Sequence, residues 1–156
     1  MIAEWIATCG GIGYVTRMPG TVASGVACVS AWILRTLVLS SQGLLFITAP
    51  LLFLGLWASN VLQSQRQEHD PAYIVIDEWV AVWGLCAGVP LVVSYFVFAF
   101  LLFRVLDILK PWPVRWAERR FHGGLGIMLD DIVAALYSVA LLAVAVRVVA
   151  GIIGPG

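Results

Sequence analysis

Apolar residues gather into four long runs, at 24–39, 43–62, 79–103 and 132–154, and polar segments separate them. Crossing the hydrocarbon core of a bilayer takes roughly 20 apolar residues as a helix, within a range of about 17–25. The second and fourth runs meet that length. The first is shorter and contains Arg35, which near a helix end is expected to snorkel to the interface. Its small residues Ser24, Gly25, Ala27, Cys28, Ser30 and Ala31 suit close helix packing. The third run, WVAVWGLCAGVPLVVSYFVFAFLLF, is interrupted by Gly88-Val89-Pro90. Proline removes a backbone donor and disfavours helix in the residue before it, so this run is either one kinked span or two half-helices forming a re-entrant hairpin.

Charge follows the same punctuation. All nine Asp and Glu, and seven of the nine Lys and Arg, fall in residues 1–23, 63–78 and 104–131. If the first two runs form a hairpin across SSQG at 40–43, the first two polar segments share one face. The third joins them only when 79–103 turns back. Arg17, Arg66, Arg104, Lys110, Arg115, Arg119 and Arg120 would make that face cytoplasmic by the positive-inside rule, with Arg35 and Arg147 towards the far side.

Composition strengthens the membrane reading: 62% of residues are hydrophobic, 12% are charged and the mean hydropathy is +0.98. Soluble domains average roughly 45–50% apolar and about 25% charged. The expected fold is all-α, a single multi-pass membrane domain over 1–156 with a broken or re-entrant helix pair and a polar site at the cytoplasmic face. A formal net charge of zero gives no sign of a nucleic-acid partner. Cys9, Cys28 and Cys86 are scattered and suit neither a disulfide framework nor zinc, and read as small core residues. MIAEWIATCGGIGY carries Glu4 and dissolves into glycines rather than showing a signal-peptide pattern, so these residues are expected to belong to the fold.

Candidate chemistry sits at the edges of the apolar runs. Asp77, Glu78, Asp107, Asp130 and Asp131 all lie within a few residues of expected bilayer depth. Carboxylates held there lose hydration and repel one another, so they need a compensating charge. A hard divalent cation supplies it, magnesium taking oxygen ligands at roughly 2.0–2.1 Å. His69 and His122 stand in no ligand motif. Each acid also has an ordinary use: Asp130 as a helix N-cap with Asp131 in the first turn, Asp70 as a cap before Pro71, Asp107 as a partner of Arg104 and Lys110. Five such acids at membrane edges favour a functional cluster.

If residues 99–110 form one helix ending before Pro111, Arg104, Asp107 and Lys110 lie on one stripe, able to touch both a metal and an anion. Arg115, Arg119 and Arg120, with Trp112 and Trp116, read as an interfacial helix. The glycine-rich CGGIGYVTRMPGT is neither a P-loop nor a dinucleotide fingerprint. Gly20 after Pro19 suits a tight turn and Thr21 or Ser24 a helix cap, a geometry that also aims backbone N–H groups at an anion.

GIGYVTRMPGTVAS at 11–24, DPAYIVIDEW at 70–79, FRVLDILKPWPVRW at 103–116 and GGLGIMLDDIVAA at 123–135 together make the chain resemble the phosphatidylglycerophosphatase A family. The resemblance implies an all-helical enzyme of the bacterial inner membrane that hydrolyses the terminal phosphomonoester of phosphatidylglycerophosphate with magnesium, its site on the cytoplasmic side. It points to Pro19, Gly20, Thr21, Asp77, Glu78, Arg104, Asp107, Lys110, Pro111, Asp130 and Asp131. The five acids are then metal ligands and, with Lys110, the catalytic set; Arg104, Lys110, Gly20, Thr21 and Arg17 bind substrate. Thr16, Ala23, Ala81, Leu106 and Ala135 depart from the family's usual residues near the charged positions. Either water or an aspartate can be the nucleophile. A small cation or phosphate transporter is the alternative from another class; it is expected to carry acids at mid-span, whereas here they lie at the edges.

Overall fold

The computed structural model describes residues 1–66 and 71–153, with side chains described as far as Val148. Asp70 and His69 lie outside the described residues. Seven α-helices are present among the described residues, with no strand: α1 (Ile2–Ala7), α2 (Pro19–Leu37), α3 (Ser41–Arg66), α4 (Ile76–Ala87), α5 (Val93–Leu109), α6 (Val114–Arg120) and α7 (Gly123–Ile153). The helices α2, α3 and α7 are long and apolar enough to cross a membrane.

Helix α2 begins five residues before the first apolar run because Pro19 occupies its first turn, where a missing N–H costs nothing. It buries Ala23, Ser24, Ala27 and Ala31, a small-residue stripe along which α4 packs. After a short turn α3 returns antiparallel and carries Pro50 inside it.

The third apolar run breaks as its Gly-Val-Pro sequence requires, α4 ending at Ala87 and α5 starting at Val93. With 12 residues, α4 is about 18 Å long, well short of a hydrocarbon core of roughly 30 Å. The pair is a hairpin: Arg104 near the end of α5 comes within 3.9 Å of Glu78 at the start of α4. A continuous helix would hold those residues about 39 Å apart. The polar ends of both helices therefore return to the same end of the bundle.

A helix end inside an apolar bundle leaves carbonyls without donors, and these must be satisfied by protein. Arg35 does this. Its Nη1 donates to the carbonyls of Cys86 and Val89, each at 2.6 Å, and its Nη2 to Ser41 Oγ at 2.7 Å, with Phe96 beneath the guanidinium. The expected snorkelling of Arg35 is thus corrected: the freed carbonyls of the break draw it inward. Around this staple lies the larger core, including Ala27, Leu44, Val82, Leu85, Cys86, Ala99, Phe103 and Ala134. All three cysteines are free thiols.

A second core of Ala3, Ala7, Ala58, Leu62, Ile74, Ile76 and Met128 ties α1 to α3, α4 and α7. The Val75 N–H donates to the Ala7 carbonyl at 2.9 Å. Tyr14 donates to Glu4, which also pairs with Arg66, and Tyr14 stacks on Tyr73. These contacts fix residues 71–75, the connection that delivers α4 to the site. Cys9 lies beneath it, where burial and nearby Glu78 push its thiol up to about 12 and keep it protonated.

Helix α7 begins at Gly123, so Asp130 and Asp131 are its eighth and ninth residues and do not cap it. The cap expectation fails because Asn60 of α3 takes that role, its Oδ1 accepting from the Gly124 N–H at 2.8 Å. Gly124 permits this approach: a Cβ there would stand 2.8 Å from the Asn60 nitrogen and the Leu56 oxygen. Arg35→Met should leave two carbonyls and Ser41 unpaired and cost about 3 kcal/mol, given roughly 1.5–3 kcal/mol for a hydrogen bond to a charged group. The measurement is the denaturation midpoint in detergent, which should fall for Met and fall less for Lys.

Candidate active site

The starts of α2 and α4, the end of α5, Lys110 and the second and third turns of α7 surround a cavity of about 420 Å³. Asp77 and Glu78 occupy the first turn of α4, where the helix dipole favours acids. Asp131 reaches the same place from α7. One carboxylate oxygen of each lies within 4.8 Å of the other two. Asp77 is 8% exposed and Asp131 4%. Asp77 Oδ1, Glu78 Oε2 and Asp131 Oδ2 are buried without a hydrogen-bond partner.

The cations of the cavity are largely engaged by the other acids. Arg104 Nη1 is 2.8 Å from Asp107 Oδ2 and donates to Ser24 Oγ at 3.2 Å, while its Nη2 donates to Thr21 Oγ1 at 3.2 Å. Ser24 in turn donates to the Gly20 carbonyl at 2.7 Å. Lys110 Nζ lies 2.9 Å from Asp130 and 2.7 Å from Glu118. Burial works against its charge, but the bonds to Glu118 and Asp130 outweigh that and hold the ammonium above the usual lysine range. It therefore stays charged throughout neutral pH.

Lys110 does not continue the α5 stripe as its spacing suggests. It is the C-cap residue, in the left-handed region at φ 45, ahead of Pro111, which ends the helix and turns the side chain towards α7. Nor do Thr21 and Ser24 cap α2. They stand inside it, the N-cap is Met18, and no side chain caps the helix. The N–H groups of Gly20 and Thr21 precede the first intrahelical bond, which Val22 makes to Met18, and both residues line the cavity. Gly20 also makes room for the cluster: a Cβ there would fall 2.0 Å from Glu78 Oε1.

Ten of the eleven site positions read from the sequence, counting Pro19 and leaving out Pro111, line this cavity. The exception, Arg17, is exposed and lies just outside it. Sequence reasoning missed Ser24 as a partner of Arg104 and Glu118 as a partner of Lys110. The signal for Ser24 was its place one helical turn after Gly20 and Thr21, hence on the same face. Glu118 had no such signal, because its approach to Lys110 depends on how α6 folds back.

Chemically, the cavity offers three clustered carboxylates, of which only Glu78 has a cation nearby, Arg104 at 3.9 Å, to a hard cation, and a guanidinium, an ammonium and a helix start to an anion. The sequence model of the Phosphatidylglycerophosphatase A family matches residues 5–146. A Bacteroides thetaiotaomicron protein, named as a candidate phosphatidylinositol-3-phosphatase, is 42% identical over 86% of this chain and 87% of its own length. The Escherichia coli and Haemophilus influenzae proteins named Phosphatidylglycerophosphatase A are each 36% identical over 85% of this chain, covering 76% and 81% of their own lengths. No solved structure matches. With the match running through every helix that supplies the cavity, the chain belongs to the phosphatidylglycerophosphatase A family.

Proposed function

We propose that this protein hydrolyses the terminal phosphomonoester of phosphatidylglycerophosphate, releasing phosphatidylglycerol and phosphate for phospholipid biosynthesis, with magnesium as cofactor. The observation that carries the reading is the trio of unpartnered buried carboxylate oxygens facing the same cavity as Arg104 and Lys110. Such a donor set fits a hard divalent ion, which takes oxygen ligands, and suits softer metals poorly. Asp77, Glu78 and Asp131 would hold it. Magnesium at such a site acts as a Lewis acid towards phosphate oxygens and lowers the pKa of water.

The chain's own residues do the rest. Arg104, fixed by Asp107, Ser24 and Thr21, presents a preorganised fork to the phosphate oxygens. Lys110 exchanges its carboxylate partners for the phosphate and stabilises charge that develops on it. The N–H groups of Gly20 and Thr21 complete the cradle at the positive end of α2. Asp107 and Asp130 serve by holding the two cations, and Arg17 meets the lipid at the rim. The attacking group is water, deprotonated by one of the clustered carboxylates. The basic residues at this end of the bundle support a site on the cytoplasmic face of a bacterial inner membrane.

Purified protein in detergent should release phosphate from phosphatidylglycerophosphate with magnesium and lose that release in excess chelator; release that survives chelation would overturn the cofactor assignment. Asp131→Asn should lower turnover at least about 100-fold. Because it removes one of three mutually repelling charges, the same substitution should leave the thermal midpoint unchanged or raised. For Gly20→Ala the expectation is displacement of Glu78, seen as a rise of at least about tenfold in the magnesium concentration needed for half-maximal activity.

A further inference from the structure

The cavity lining is chemically mixed. Beside its charged residues it includes the apolar Met18, Ala72, Ile74 and Ile108. Ile74 is buried, but Met18 and Ile108 are each 62% exposed while lining the cavity, so they form its edge. Met18 immediately precedes α2 and Ile108 lies in the last turn of α5. One turn further into α5, Arg104 bonds Thr21 and Ser24, one and nearly two turns further into α2. The two exposed side chains therefore stand at the mouth of the seam between α2 and α5.

Beyond that mouth, exposed apolar surface continues along α5 through Val105 and Leu101, at spacings of three and four that keep one stripe. The depth of the mouth is also marked. Exposed Leu109 follows Ile108, then Lys110 and Pro111, and then Trp112, which is 78% exposed. Exposed indoles and basic side chains concentrate at the membrane–water interface, so Ile108 lies just on its hydrocarbon side. That is the level of a phospholipid's glycerol backbone. A soluble phosphomonoester needs no apolar edge to such a cavity, whereas a bilayer lipid must keep its chains in hydrocarbon while its head group enters.

We infer that the α2–α5 seam is the lateral opening through which the substrate head group enters, with Met18 and Ile108 gripping the lipid backbone and the Val105–Leu101 stripe carrying an acyl chain. This assignment rests on the phosphatase reading and adds to it the site where the chains of a diacyl phosphomonoester lipid bind.

The test compares dioleoyl phosphatidylglycerophosphate with its dibutanoyl analogue, which has the same head group but chains too short to need hydrocarbon. The protein is the full chain in detergent micelles, carrying Met18→Asn, Ile108→Asn or both. The ratio of kcat/KM for the long-chain over the short-chain substrate should fall about tenfold in the double variant, through KM. Phe53→Asn, on an equally apolar exposed position of α3 that does not line the cavity, should leave the ratio within twofold. A ratio unchanged in the double variant, or an equal fall in Phe53→Asn, overturns the seam assignment while phosphate release by the wild type still stands. Failure of the wild type to release phosphate from either substrate removes the phosphatase reading and the seam with it.

Discussion

Three carboxylates buried within 4.8 Å of one another are the constraint to which the rest of the structure answers. At that separation two unit charges repel by about 3.5 kcal/mol per pair, taking an effective dielectric near 20. Such a group persists only where rigid elements force it together. Here Asp77 and Glu78 are anchored in the first turn of α4 and Asp131 in the third turn of α7, so their backbones cannot separate without moving a helix. The two nearby cations relieve the repulsion only in part, since Arg104 reaches Glu78 at 3.9 Å but lies closer to Asp107, and Lys110 is held by Asp130 and Glu118. The fold thus builds a deficit of positive charge at one point and surrounds it with groups suited to an anion.

Holding that point in place requires the broken hairpin. A single span over the third apolar run would put Glu78 and Arg104 on opposite sides of the membrane. The Gly-Val-Pro break brings them together, and it is tolerable in an apolar bundle only because Arg35 takes up the exposed carbonyls. The small stripe of α2 then lets α4 approach closely enough for Glu78 to sit against Gly20, where no side chain intervenes. Far-side staple, break, small-residue stripe and glycine contact form one chain of dependence ending at the carboxylates.

Much of this was legible in the sequence, because hydropathy and charge placement are direct consequences of bilayer solvation. The long runs, the break at Gly88-Val89-Pro90 and the convergence of acids and bases at one end all follow from it. What sequence reasoning got wrong shares a cause. Beside the site roles read for Thr21 and Asp130, each of Arg35, Thr21, Ser24 and Asp130 was given the use that such a residue has on an isolated helix, snorkelling or capping. In the folded chain each is claimed by a partner more than 19 residues away: Arg35 by the break, Thr21 and Ser24 by Arg104, Asp130 by Lys110. Local rules fail where a long-range partner offers a charged hydrogen bond in a dry interior, since such a bond outweighs a solvent-exposed cap.

The paired acids of α7 show why the site needs its residues in their exact order. Consecutive positions on a helix point about 100° apart. Asp131 therefore faces α4 and joins Asp77 and Glu78, while Asp130 faces the end of α5 and holds Lys110. A single acid can serve one direction only, and moving the pair by one residue would carry Asp130 to the position of Asp131 and leave Lys110 without its buried partner. Two adjacent acids on one rigid helix thus set one carboxylate beside the start of α4 and the other beside the end of α5 at once.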